Sequence, residues 1–217
     1  MKHFLLINTS PREKGTSALL ALTMREYLLR KGHSVSLMHL YKHLDKADAL
    51  VQAFAKADTL VVLGPCYINT YPADTYAFLE LIANHTKTHH GQRIYGVIQG
   101  GMPHAHTHAS GLAALDCFAN ACGLIYGGGF IMGMGAMLNG QSLDKLLNAK
   151  KVKRQLNIFF EHVEKGEDSE DSVYKQAELR LPGLVLRLMA RWINGVIDKN
   201  LKAHGISKNQ PSPYSLS

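Results

Sequence analysis

The feature of this sequence that most restricts its fold is an alternation: short apolar or β-branched runs are separated by longer amphipathic stretches through the first two-thirds of the chain. Strands buried in a parallel sheet read as brief unbroken apolar runs, whereas a helix repeats its apolar face every turn. The pattern predicts strands over 2–8, 34–39, 59–64, 94–99 and 124–132, with helices over 17–31, 47–57, 72–84 and 109–122. Gly32 stands just past the first helix, where a left-handed C-terminal residue belongs. Strands joined by helical crossovers must be wound right-handedly, so five of them specify an α/β fold: a doubly wound five-stranded parallel sheet with helices on both faces. A ligand is then expected at the carboxyl ends of the strands, where the winding reverses.

The last third changes character. A helix is expected over 142–165, and Gly166-Glu167-Asp168-Ser169-Glu170-Asp171 reads as a polar break. Beyond it Leu181, Leu184, Leu188, Trp192, Val196 and Leu201 fall at helical spacing, with Arg187, Arg191, Asn194 and Lys202 off that stripe. The organisation expected is a domain over 1–165, a C-terminal helical extension over 166–208 and a disordered tail over 209–217. The stripe is expected to pack on the parent domain or across a dimer interface rather than on a membrane surface.

Composition narrows the class. At 217 residues and 46% hydrophobic the chain is long enough to bury a full core. Its three cysteines, Cys66, Cys117 and Cys122, form neither a CxxC pair nor an even disulfide set, which favours a cytoplasmic location and no iron–sulfur cluster. The apolar run 4–7 is too short for a signal-peptide core and reads as the first strand, and no stretch reaches the roughly 18 apolar residues of a membrane span. The formal charge of +7 suits phosphate-bearing ligands. Lys and Arg are spread along the chain without the basic, aromatic-interleaved run of a nucleic-acid footprint, so no nucleic acid is expected as a partner.

After the first strand comes Asn8-Thr9-Ser10-Pro11-Arg12-Glu13-Lys14-Gly15-Thr16-Ser17, which leads directly into a helix. A helix N-terminus offers free N–H groups and the positive end of the macrodipole, and the hydroxyls of Ser10, Thr16 and Ser17 add donors for a phosphate monoester. Neither a Walker loop nor GxGxxG is present, which disfavours nucleoside triphosphates and the standard dinucleotide fold. The same residues also serve as ordinary helix caps, and Arg12 either braces a phosphate or stands as a solvated cation.

The third strand ends in Gly64-Pro65-Cys66-Tyr67-Ile68-Asn69-Thr70-Tyr71-Pro72-Ala73. Together the two segments resemble the NADPH-dependent FMN reductase family of flavodoxin-like proteins, whose loops read S-P-R-x-x-G-x-T/S and P-x-Y-x-x-x-x-P-A. Ser10, Pro11, Arg12, Gly15 and Ser17 match the first, while Pro65, Tyr67, Pro72 and Ala73 match the second. The resemblance covers roughly residues 1–135. It departs where members often carry tryptophan after the tyrosine and this chain has Ile68 and Asn69. It implies a flavodoxin-like domain with FMN as cofactor, its phosphate on Ser10, Arg12, Gly15, Thr16 and Ser17, and its ring on Pro65, Cys66, Tyr67, Ile68 and Asn69. Tyr67 is the natural ring neighbour, and the alternative for Tyr67 and Tyr71 is aromatic packing under a loop.

A third loop, Gln99-Gly100-Gly101-Met102-Pro103-His104, follows the fourth strand, and Gln99, Gly100, Gly101 and His104 are expected beside the flavin's pyrimidine side. His104, His106 and His108 alternate, and His89-His90 lies nearby in sequence; without an accompanying acid or cysteine they read as a solvated or substrate-lining loop, and no metal is expected. Beside a flavin, a histidine such as His104 would either stabilise an anionic reduced ring or donate a proton to a quinone or nitro acceptor.

The resemblance implies an oxidoreductase passing electrons from NAD(P)H through FMN to a small acceptor (a quinone, flavin, azo or nitro compound), commonly as a homodimer. No side chain must act as acid, base or nucleophile in accepting the hydride, so no catalytic residue is assigned. The rivals are a flavodoxin-type electron carrier without nicotinamide activity, against which the positive charge speaks, and a flavin-free binding module.

Overall fold

The computed structural model describes residues 1–85 and 91–206, so the His89-His90 pair and the 209–217 tail lie outside the described residues. Five strands, β1 (His3–Asn8), β2 (Ser34–His39), β3 (Thr59–Pro65), β4 (Arg93–Gln99) and β5 (Ile125–Met132), form one sheet in the order β2-β1-β3-β4-β5. Every pairing is parallel. Between them run α1 (Thr16–Arg30), α2 (Ala47–Ala55), α3 (Ala73–His85) and α4 (Ala109–Cys122), within two residues of the expected bounds.

The chain steps one way from β1 to β2 and the other way from β2 onward, so right-handed crossovers put α1 on one face and α2, α3 and α4 on the other. The reversal lies between β1 and β3. Burial follows: β3 is buried along its whole length, whereas the edge strand β2 is only half-buried throughout. Leu20, Met24 and Leu28 of α1 recur on its inner face, and Phe4, Leu5, Leu6 and Ile7 of β1 are fully shielded.

Beyond β5 the expected single helix over 142–165 is divided. Ser142 Oγ accepts from the Asp144 backbone N–H and starts a short 3-10 turn, Leu143–Lys145; Leu146 is extended, and α5 (Ala149–Lys165) starts only then. A side chain that captures a nearby N–H offers the backbone an alternative to the helix, which the apolar periodicity alone cannot reveal. Val152, Leu156, Phe159 and Val163 form the buried stripe of α5, and Phe159 packs against Tyr95 and Phe130 of the sheet. Lys2 Nζ donates to the carbonyls of Glu164 and Lys165, placing a cation on the negative end of α5.

The polar break is followed by α6 (Asp171–Ala177), held by Ser169 N–H donating to Gly127 O at 2.7 Å and by buried Val173, Tyr174 and Ala177. Compactness divides the chain into residues 1–179 and 180–217. The second unit holds α7 (Gly183–Ala203), on which Leu184, Leu188, Trp192 and Val196 are exposed. Among the described residues no helix is long and apolar enough to cross a membrane.

Candidate functional site

The carboxyl ends of β1, β3 and β4 open into one crevice lined by Ser10, Arg12, Gly15, Thr16, Pro65, Cys66, Tyr67, Gln99, Gly100 and Gly101, with Ala136 and Asn139 closing it. It lies at the reversal of the winding, where a ligand is expected in a sheet of this order. Three segments far apart in sequence meet there because parallel strands point all their outgoing loops to one end of the sheet.

At one end of the crevice α1 begins. Its N-cap, Gly15, supplies no side-chain cap, and no acidic residue occupies the first turn, so the helix N-terminus is left for an anion. The loop before it is folded by its own side chains: Asn8 Oδ1 accepts from Ser10 N–H, and Ser10 Oγ accepts from Arg12 N–H. Arg12 Nη1 donates to Asn139 Oδ1 at 3.2 Å, and Thr16 Oγ1 donates to Gly135 O at 2.8 Å. Gly140 lies against the backbone of Gly15 at a φ of 81°, a conformation and a closeness that favour glycine.

The opposite end is built on β3 and β4. Cys66 N–H donates to Gln99 O at 2.6 Å, and its thiol, pushed up by burial, points to the Thr107 carbonyl. Tyr67 and Thr70 bridge as a miniature hairpin, with Ile68 and Asn69 at its tip in left-handed conformation. Tyr67 is about half exposed at the crevice, whereas Tyr71 is 2% exposed beneath β3 and β4, its hydroxyl donating to Val62 O. The two aromatic alternatives are thus divided: Tyr71 packs the core and Tyr67 faces the crevice.

Between the two ends, Gln99 Nε2 donates to Ser17 Oγ at 3.2 Å, while its Oε1 is buried without a hydrogen-bond partner among the described residues. A buried acceptor in that state costs about 1–3 kcal/mol, a cost that an arriving N–H donor would remove. At Gly100 a Cβ would lie 2.4 Å from His108 Nε2 and 3.0 Å from the Cys66 Cβ, so the chain here can only be bare backbone. His108 is buried, and that burial holds its imidazole below the usual range.

Ten of the residues expected at a ligand line this crevice; four do not. Ser17 is buried one step behind, on Gln99. Ile68, 97% exposed, and Asn69 stand at the hairpin tip, outside the lining. His104 turns to Glu178, its Nδ1 3.3 Å from a carboxylate oxygen that also accepts from Ala105 N–H, because α6 brings Glu178 up to this loop. His104 and His106 stack on each other, and among the described residues no group of three or more His, Cys, Asp or Glu could hold a metal. Ala136 and Asn139 were not foreseen. Gly133-Met134-Gly135, just before them, flanks the run read as the fifth strand, and the available signal was Asn139-Gly140, a turn pair.

A family model described as flavodoxin-like fold matches residues 2–126. No functionally curated protein matches the chain in sequence. Among solved structures, an NADH:FMN oxidoreductase in apo form superposes with a TM-score of 0.63 at 23% identity, covering 83% of this chain and 97% of that one. An NAD(P)H:quinone oxidoreductase from Methanothermobacter marburgensis gives 0.57 at 12%, with 75% and 97% covered. A flavodoxin from Streptococcus pneumonia gives 0.54 at 15%, with 75% and 99% covered. At these identities the likeness is one of fold.

Proposed function

The chain belongs to the flavodoxin-like fold family, and from that premise we propose that it is an FMN-dependent oxidoreductase passing electrons from NAD(P)H to a small acceptor such as a quinone, flavin, azo or nitro compound. The observation that carries this reading is the shared crevice. An uncapped helix N-terminus with Arg12 at one end and a flat backbone wall at Gly100 and Gly101 at the other match a ligand that is a phosphate monoester on one side and a planar ring on the other.

The residues fit FMN on their own chemistry. Ser10, Arg12, Gly15 and Thr16 would hold the phosphate; Pro65, Cys66 and Tyr67 would wall the ring; and the unpaired Oε1 of Gln99 is an acceptor for a ring N–H. When bound, the flavin supplies the hydride and electron transfer. The protein's part is to bind, orient and exclude water, so no side chain is assigned as acid, base or nucleophile. The structural neighbours include enzymes named for NAD(P)H oxidation as well as a flavodoxin, and the net charge of +7 favours a phosphate-rich donor over an acidic carrier surface. The enzyme is proposed to work in the cytoplasm as a homodimer, the apolar stripe of α7 being the candidate contact.

One spectrum tests the reading. Purified protein titrated with FMN should acquire a flavin band that bleaches when NADPH or NADH is added without oxygen and returns on adding a quinone. A flavin band inert to both nicotinamides would favour the electron carrier. Protein that takes up no FMN would favour the flavin-free module.

A further inference from the structure

The loop between β1 and α1 has two sides. Ser10, Arg12, Gly15 and Thr16 line the crevice described above, while Glu13 and Lys14 line a separate cavity of about 420 Å³ together with α1 and the end of β2. Its floor is apolar, with Ala18, Ala21 and Leu22 on α1 and Leu37 and Met38 on β2. Its rim carries Lys14, Lys42, His39 and His43 against one carboxylate, Glu13. A space of that size suits a small molecule, and this lining complements one with an apolar body and a negative charge.

Glu13 shows how the rim treats a carboxylate. Its oxygen meets Lys42 Nζ at 3.0 Å, and that contact, with His39 and Lys14 adding to it, holds the Glu13 carboxyl below its usual range. Both partners are more than half exposed (56% and 61%), so water weakens the pair, and a carboxylate that also covers the apolar floor can replace Glu13 at little cost. His39 points the same way. It ends β2 opposite Asn8 and lines the cavity, with both ring nitrogens buried and without a hydrogen-bond partner among the described residues. A neutral imidazole brings one donor and one acceptor, so leaving both unpaired is costly, and no hydrogen bond among the described residues holds the ring against turning to a ligand.

We propose that this cavity is a second binding site, separate from the crevice, for an organic monocarboxylate with an apolar body, an aryl or alkyl acid. The apolar part lies over Leu22, Leu37 and Met38. The carboxylate takes Lys42 from Glu13 and meets Lys14, and His39 turns to donate a further hydrogen bond. Inorganic phosphate would satisfy the lysines but leave the floor uncovered, and a cationic ligand would meet the rim with like charge. The site stands on the cavity's own residues and does not depend on what the crevice holds.

The test titrates the full chain by calorimetry with 2-naphthoate and with its neutral counterpart 2-naphthylmethanol, before and after FMN is added. Naphthoate should bind about fivefold more tightly than the alcohol, and FMN should not displace it. The Lys14→Ala/Lys42→Ala double variant should lose that preference while still binding both compounds, and Ala18→Leu, which fills the floor, should weaken both about tenfold. Both lysines are exposed, so the double variant decides the matter even if Ala18→Leu fails to fold. Equal affinity for acid and alcohol, an acid preference that survives in the double variant, or displacement by FMN would overturn the proposal, the last by placing the probe in the crevice. A dimer that Ala18→Leu dissociates would overturn it too, by making the cavity a contact between copies of the chain.

Discussion

Arg12 Nη1 donates to Asn139 Oδ1 across 3.2 Å, joining the loop that enters α1 to the segment that follows β5. The bond ties an exposed cation to the wall of the crevice that also holds Gly15, the N-cap of α1. Asn139 has a φ of 46°, so alanine there would add backbone strain; Asn139→Gly removes the side chain without it. We expect Asn139→Gly to weaken FMN binding about 3- to 10-fold, the worth of one side-chain hydrogen bond, and Arg12→Ala to weaken it more. Fluorescence titration reads both, and an unchanged Kd in Arg12→Ala would remove that residue from the phosphate site.

Tyr67 and Tyr71 are separated by one turn of a small hairpin, and their substitutions should fail differently. Tyr71→Ala opens a cavity among Gly64 and Gly111, which lie against its ring, and Gly96, which lies against its hydroxyl, and should cost about 3–5 kcal/mol in urea unfolding. Tyr67→Ala should cost under about 1 kcal/mol while changing FMN affinity or acceptor turnover. The reverse ranking in stability would show that the two roles have been exchanged.

Ile68 holds a φ of 51° while its side chain is 97% exposed. A β-branched residue in left-handed conformation is strained, and here almost no packing compensates for it. Ile68→Asn should therefore stabilise the fold by about 1 kcal/mol, raising Tm by about 2–4 °C in calorimetry. A lower Tm would mean that the isoleucine makes a contact outweighing its strain.

Burial lowers the pKa of His108 in the folded protein, so the unfolded chain takes up the proton first as pH falls. The stability tied to its neutral form is whole above its ordinary value, near pH 6.5, and is lost progressively as the pH drops toward the folded value. His108→Asn should flatten the fall in Tm between about pH 7 and pH 5, whatever it does to Tm at neutrality. An identical slope in the variant would place the acid sensitivity elsewhere.

The sheet was legible because each of its signals is local. β3 is buried along its length and appears as an unbroken apolar run, and the loops after β1, β3 and β4 carry their serines, prolines and glycines in order along the chain. What escaped depends on partners distant in sequence. His104 reads as a neighbour of the ring until Glu178, at the end of α6, draws it aside, and nothing local marks Asn139 until the fold brings it to Arg12. The break between Ser142 and α5 was hidden for another reason: a hydroxyl competing for one N–H leaves no trace in hydrophobic periodicity.

The stretch that declares this chain's kinship stops at residue 126, yet Ala136 and Asn139 complete the crevice and Gly140 leans on the turn at Gly15. Ancestry and crevice therefore have different borders. A fragment trimmed to the recognisable portion would keep the signature loops and lose the wall that closes over them.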